Sequence, residues 1–179
     1  MTVVERLVDL INTRHCVDGD DVLADQRAVA WLQEWTDGRR QEAVDAGTVA
    51  RLRDLREGLR QLAAANNGQQ CDEEIADRAA AVLRSVPLIV EFGGPETPPR
   101  LGAYSAAGLA ERALADAAGC YLTAAASGEW SRVKSCAAPD CRWAYLDSSR
   151  NRSRRWCDMA ECGNRAKNRA WRQRQAVGD

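Results

Sequence analysis

The 179-residue sequence is poor in the side chains that most often do chemistry. It holds 1 His and 1 Phe, and only 2 Lys among 25 basic residues. A histidine-based triad has a single candidate in His15, and no nucleophile motif stands beside it. A lone histidine near a helix end reads as structural or solvated, so no enzyme is expected. Gly93-Gly94-Pro95 lacks the strand–loop–helix setting and the lysine of a phosphate loop and reads as a turn. Asp18, Asp20 and Asp21 lack the spaced ligands and closing glutamate of a calcium loop, so they read as a helix-capping turn. No apolar run approaches the ~18 residues that would cross a bilayer. No basic-then-apolar leader opens the sequence either. Neither a membrane span nor secretion is expected, and the cytoplasm is the expected compartment.

What is present describes a globular chain. Hydrophobic residues make up 45% and charged residues 28%. The length allows one domain, or one domain plus a small module. The net charge of -1 hides an asymmetry. Residues 1–128 carry 13 Arg against 20 acidic residues, a balance of -7, whereas residues 129–179 carry 12 basic against 6 acidic, a balance of +6. An acidic body with a basic final segment is expected when only the last module meets a polyanion.

The body reads as mainly helical. Val4, Leu7, Val8 and Ile11 make one apolar stripe between Thr2 and Thr13. A second helix carries Val22, Ala30, Trp31 and Trp35, with Gly38 as its stop. A third runs over 48–65, with Val49, Leu52, Leu55, Leu59 and Leu62 inward and Arg51, Asp54 and Glu57 wet, and Asn66-Asn67-Gly68 ends it. A fourth covers about Asp72 to Arg84. Residues 86–92 and 100–104 then form a long-looped hairpin. Helix returns from Ser105 to Ser127, and Gly128 marks the boundary between two domains, 1–128 and 129–179.

Four of the 7 cysteines lie in the second domain, as Cys136-x4-Cys141 and Cys157-x4-Cys162. In a reducing compartment two close pairs read as metal ligands before disulfides. Zinc suits four thiolates, and a filled tetrahedral sphere makes the site structural, with one ion per chain. Pro139 and Asp140 turn the chain between the first pair. Residues 142–147 read as a strand, residues 148–153 as a turn, and Arg154-Arg155-Trp156 leads back to Cys157. A helix without a breaker before Gly178 follows Cys162, giving a treble-clef-like layout of knuckle, hairpin and second pair. Cys16, Cys71 and Cys120 read as small core residues.

The strings Asp147-x-Ser149-Arg150-Asn151-Arg152-Ser153-Arg154-Arg155-Trp156-Cys157 and Cys162-Gly163-Asn164-Arg165 resemble the CGNR zinc finger. Asp9-Leu10-Ile11-Asn12-Thr13 is similar to the Asp-x-x-Asn-Thr string of the ABATE domain, which commonly precedes that finger. The resemblance implies a stress-response transcription regulator whose finger binds DNA.

The candidate nucleic-acid contacts are Arg150, Arg152, Arg154 and Arg155 on one loop, and Asn164, Arg165, Lys167, Arg169, Arg172 and Arg174 on the last helix. Arg165, Arg169 and Arg172 share a face, and together the loop and helix form a phosphate clamp. Asn164, Asn168 and Gln173 could read adenine edges from a major groove. Trp143 and Trp156 read as the small core of the finger, whereas Trp171 suits stacking on a base or packing on the body. The expected function is a zinc-dependent DNA-binding regulator whose body senses a small effector or partner, with a homodimer as one arrangement. The same residues would serve RNA binding, or a protein-interaction module engaging acidic partners.

Overall fold

The structure, a computed structural model, describes residues 1–36, 44–104 and 106–176. Gly38, Ser105 and Gly178, expected as a helix stop, a helix start and a breaker, lie outside the described residues. The described part is mainly helical with two small antiparallel hairpins.

Helix α1 (Val3–Ile11) begins with a reciprocal cap. Thr2 accepts from the Glu5 amide, and the Glu5 carboxylate accepts from the Thr2 amide. Val4, Leu7, Leu10 and Ile11 are buried, so the predicted stripe faces the core. The expected second helix starts later than its apolar pattern suggests. A short turn over Val22–Ala24 precedes α2 (Arg27–Trp35). The Asp21 carboxylate accepts from Leu23 N, and that of Asp25 from Arg27 N. Each aspartate thus offers the backbone a local alternative to helical bonding, and the helix restarts behind it.

Helix α3 (Ala46–Ala65) is capped by Asp45 and buries Val49, Leu52, Leu55 and Leu59. It packs closely on α4 (Glu73–Arg84), whose cap is Asp72. The approach depends on Gly58, where an added Cβ would lie 2.0 Å from the Ala79 Cβ. Gly58→Ala should therefore destabilise the protein by about 1–3 kcal/mol through forced separation of the two helices. Adding Ala79→Gly should restore most of that loss, read as a denaturation midpoint. An additive pair would mean the helices do not meet there.

Strands β1 (Ile89–Glu91) and β2 (Arg100–Gly102) form the expected hairpin, with Val90 opposite Leu101. Helix α5 (Leu109–Ala126) then packs along α1 and ends before Gly128, whose φ of +76° places it in the left-handed region.

The second hairpin departs from expectation. β4 (Ala144–Leu146) pairs with β3 (Val133–Ser135), upstream of the first cysteine, and not with the segment returning to Cys157. Val133 and Ala144 belong to the same core as α1, α3 and α5. The hairpin is thereby held by the body as well as by the cysteines. Helix α6 (Asn164–Ala176) closes the described chain.

Polar side chains fasten the body to this hairpin. The Asn12 amide pairs with both backbone groups of Ala144, at 2.8 and 2.9 Å, as a neighbouring strand would. Asn66 donates to the carbonyls of Trp130 and Val133, and Asn67 to those of Ser135 and Arg155. Arg60, fully buried on α3, donates to the carbonyls of Ile11, Arg14 and Arg142. Arg56, also buried, takes both carboxylate oxygens of Asp21 and the Thr13 hydroxyl. These contacts set where the cysteine-bearing loops begin.

Candidate metal centre and basic surface

Cys136 directly follows β3, and its amide donates to the Trp143 carbonyl at 2.9 Å. The knuckle folds back on the Ala138 carbonyl, which accepts from both Cys141 and Arg142 amides. Arg142 closes it in the left-handed region, at φ +52°. Cys162 sits buried in a wide turn over Met159–Gly163, whose first amides are met by the Asp158 carboxylate at Glu161 N. Helix α6 starts at the next residue.

The four Sγ atoms lie within 4.8 Å of one another. Cys141 and Cys157 sulfurs are 3.5 Å apart, and those of Cys157 and Cys162 are 3.8 Å apart. These spacings are far beyond a disulfide of about 2.05 Å. Four sulfurs at about 2.3 Å from a tetrahedral ion would stand about 3.8 Å apart, which the cluster matches. Cys136, Cys141, Cys157 and Cys162 therefore fit a closed metal site.

The environment tunes these thiols differently. Burial pushes Cys141 up to about 11 and raises Cys157 as well. At Cys162 burial also works upward, yet hydrogen bonds from Arg165 and the neighbouring thiols hold it below its ordinary value. A metal must displace protons from the raised thiols, so affinity should fall as pH falls.

Beside the cysteines lies a buried ion pair. Lys134 Nζ meets the Asp147 carboxylate at 2.7 Å and the carbonyls of Arg152 and Arg154 at 2.5 and 3.2 Å. The Asp147 carboxylate also accepts from the Ser149 amide and hydroxyl and the Arg154 amide. One ammonium and one carboxylate thus fix the 148–155 loop from its inner side. Tyr145 completes the grip by donating to the Arg154 carbonyl at 2.8 Å. It is buried beside the cysteines, with Trp143 and Trp156 packed partly buried against the same cluster.

The ten basic and amide candidates divide into two sets. Arg154 is exposed, but it lies over the Tyr145 ring at 4.6 Å and donates to the carbonyls of Trp156 and Cys157, so its guanidinium is engaged by the finger itself. Arg165 pairs with Asp140 at 3.0 Å and donates to the Cys162 sulfur at 3.2 Å, which makes it a clamp on the metal centre. Asn164 is exposed and donates to the Ala160 carbonyl. Arg150, Arg152 and Arg155 are exposed on the loop, Arg152 with one bond to the Ser131 hydroxyl. Lys167, Arg169, Arg172 and Arg174 are exposed along α6. Arg169 and Gln173 line a groove with Ala137 and Pro139, and Ala137 N donates to the Arg155 carbonyl. Loop and helix cations thus flank one knuckle. Trp171 stands 57% exposed.

His15 pairs with Asp18 at 2.8 Å and meets the edge of Trp143. It belongs to the joint between body and finger.

Residues 132–175 match the CGNR zinc finger. Residues 5–134, well over half of the chain, match ABATE, described as "Putative stress-induced transcription regulator". The chain belongs to the ABATE family. Its two ABATE and zinc-finger matches meet within residues 132–134, in β3, where the hairpin leaves the shared core for the cysteines. The Asp9-x-x-Asn12-Thr13 string of this ABATE protein supplies the joint itself, through Asn12 on Ala144 and Thr13 under Arg56. No curated protein matches the chain. Among the described residues no helix is long and apolar enough to cross a membrane.

Lys134, Asp147, Arg56, Arg60, Asn12, Asn66 and Asn67 escape a sequence reading as structural determinants of the site. A signal exists for Lys134, one of two lysines in a chain of 23 arginines. Three oxygens converge on its one nitrogen, an arrangement that suits a compact three-donor ammonium and not a planar fork.

Proposed function

We propose that this protein is a non-catalytic DNA-binding regulator in which one structural zinc ion, held by Cys136, Cys141, Cys157 and Cys162, presents a cationic helix to duplex DNA. The observation that carries the reading is the state of α6. Its first turn is anchored at the cysteines, and its described side chains from Lys167 to Gln175 are exposed. A helix this polar, with no described side chain beyond Ala166 buried or half-buried, gains little from packing, so its surface is available to a partner. With four cations on α6 besides Arg165, and three on the loop besides Arg154, that partner is a polyanion. Zinc fills its coordination sphere with four thiolates and supplies stability, not reactivity.

In this reading Arg150, Arg152 and Arg155 contact backbone phosphates while α6 enters a major groove. Asn164 and Asn168 face base edges there. Arg154 and Arg165 act indirectly, by holding the loop and the helix start. Residues 1–128 form the sensing part and residues 129–179 the finger. Clefts of about 540 and 600 Å³ flank the knuckle and are lined by residues of both parts, so a small effector in either would touch both.

Duplex binding should weaken about 10³-fold between 50 and 200 mM salt if six or so phosphates are contacted. Replacing Lys167, Arg169, Arg172 and Arg174 by alanine should lower affinity and flatten the salt slope by about one for each phosphate no longer neutralised, with zinc retained. Undiminished affinity in that variant overturns the choice of helix. Binding of single strands without duplex would move the function to RNA, for which exposed Trp171 offers a stacking surface.

A further inference from the structure

The cysteine cluster is not equally shielded on all sides. Cys136 is fully buried, and Cys141 and Cys162 are nearly so, while Cys157 is half-buried. An open cleft of about 600 Å³ reaches the cluster from the side of the N-terminal body. Cys141, Cys157 and Cys162 line it, and Val17 and Trp143 border it. Cys136 is not among its lining residues. A structural centre whose sulfurs border an open cleft is exposed to small oxidants that a sealed one excludes.

The sulfurs within reach differ in their surroundings. The Cys162 sulfur accepts an N–H from Arg165 at 3.2 Å, which occupies a lone pair and draws electron density from it. Cys157 accepts no such N–H among the described residues, and the Cys141 sulfur lies 3.5 Å from it. Cys162 stands farther off, at 3.8 Å.

We propose that Cys157 is an oxidation site, at which a small hydroperoxide entering this cleft converts the Cys141–Cys157 sulfur pair into a disulfide and opens the metal centre. The Cys157 thiolate attacks the terminal oxygen of the hydroperoxide, the O–O bond breaks, and alkoxide (hydroxide for hydrogen peroxide) leaves to give a sulfenic acid. The Cys141 thiolate then attacks the sulfenic acid sulfur, the S–O bond breaks, and hydroxide leaves as the S–S bond forms. Two thiolates supply the two electrons that reduce the peroxide. Closing 3.5 Å to a bond of about 2.05 Å requires only a small shift of the loop that carries Cys157. With two of four ligands withdrawn the metal leaves, and α6 loses the anchor at its first turn. The inference rests on the four-thiolate centre and is independent of which polyanion α6 meets.

The test uses the full-length, zinc-loaded protein treated with increasing hydrogen peroxide, quenched with a thiol-blocking reagent and mapped by peptide mass spectrometry. Zinc release is followed in parallel with a chromogenic chelator. The expected first bridge is Cys141–Cys157, appearing in step with zinc release and reversed by dithiothreitol with added zinc. Val17→Trp, which narrows the cleft without touching a ligand, should slow release several-fold. A first bridge within a sequence pair, Cys136–Cys141 or Cys157–Cys162, overturns the proposal. So does oxidation of Cys16, Cys71 or Cys120 while zinc stays bound, or an unchanged rate in Val17→Trp. Loss of DNA affinity on oxidation is a separate readout, and a reduced protein that never binds DNA would count against the proposed function alone.

Discussion

Cys136→Ser should cost the protein its metal and α6 its helix. Zinc binding contributes roughly 10–16 kcal/mol in small finger peptides, as much as the whole stability of an ordinary domain. The finger has no comparable source of its own. Its cluster of buried residues is small and built largely from the ligands themselves: Cys136, Cys141 and Cys162 beside Ala138 and Tyr145. Helix α6 spans 13 residues and is near the length at which an isolated helix is marginal in water. Ligand spacing alone predicts that loss of one cysteine unfolds the finger and spares the rest. The shared hairpin changes that expectation. Val133 and Ala144 sit in the body's core, and Asn12, Asn66 and Arg60 hold the backbone around them. Hydrogen exchange in the variant should show protection lost over 147–176 and kept in β3, β4 and α1, with a modest fall in the body's melting temperature. Zinc content near zero with α6 still protected would contradict this account.

Asp147→Asn should destabilise the protein by about 3–5 kcal/mol, because it leaves a buried ammonium without its counter-charge. Lys134 and Asp147 are 4% and 0% exposed, so neither can turn to water. The loop carrying Arg150, Arg152 and Arg155 should loosen with the loss, since Asp147 holds the amides of Ser149 and Arg154 and Lys134 holds two loop carbonyls. Burial by itself would raise the Asp147 carboxyl, but hydrogen bonds from Lys134 and Ser149 prevail and hold it down to about 2. A folded-state value below the unfolded ~3.9 means stabilisation that is complete above about pH 4 and lost as pH falls through about 2. The wild-type protein should therefore lose roughly 2–3 kcal/mol over that window from this group, and the asparagine variant should not. Denaturation series at pH 5, 4, 3 and 2 on both proteins measure the difference directly. Parallel curves would show that the pair is not the acid-sensitive element.

Much of this architecture follows from local rules that a sequence displays. The stripe of Val4, Leu7 and Ile11 and the spacing of Val49, Leu52, Leu55 and Leu59 mark helices by periodicity alone, and Asn66-Asn67-Gly68 marks an end. The cysteine spacing names four ligands because thiolates in close pairs have few other uses in a reducing compartment, and the structure brings all four together. Asymmetric charge separates an acidic body from a basic end without reference to shape.

What the sequence could not display is anything whose partner is remote along the chain. β3 reads as a polar stretch, since Lys134 looks like surface until Asp147 is placed against it, thirteen residues on. Arg56 and Arg60 look like wet positions on an amphipathic helix, yet the end of α1, the turn at Asp21 and the knuckle close over them and supply carbonyl and carboxylate acceptors. Asn66 and Asn67 end a helix as expected, but their amides reach residues 64 to 88 positions away. Arg165 carries the same charge as Arg169, and only folding sets it on Asp140 and a sulfur while leaving Arg169 outward. Periodicity and ligand spacing are written within a few residues, so the chain alone determined its helices and its metal ligands. Which charges are buried, which are free, and which strand completes the hairpin depend on long-range contacts that exist only once the chain has packed.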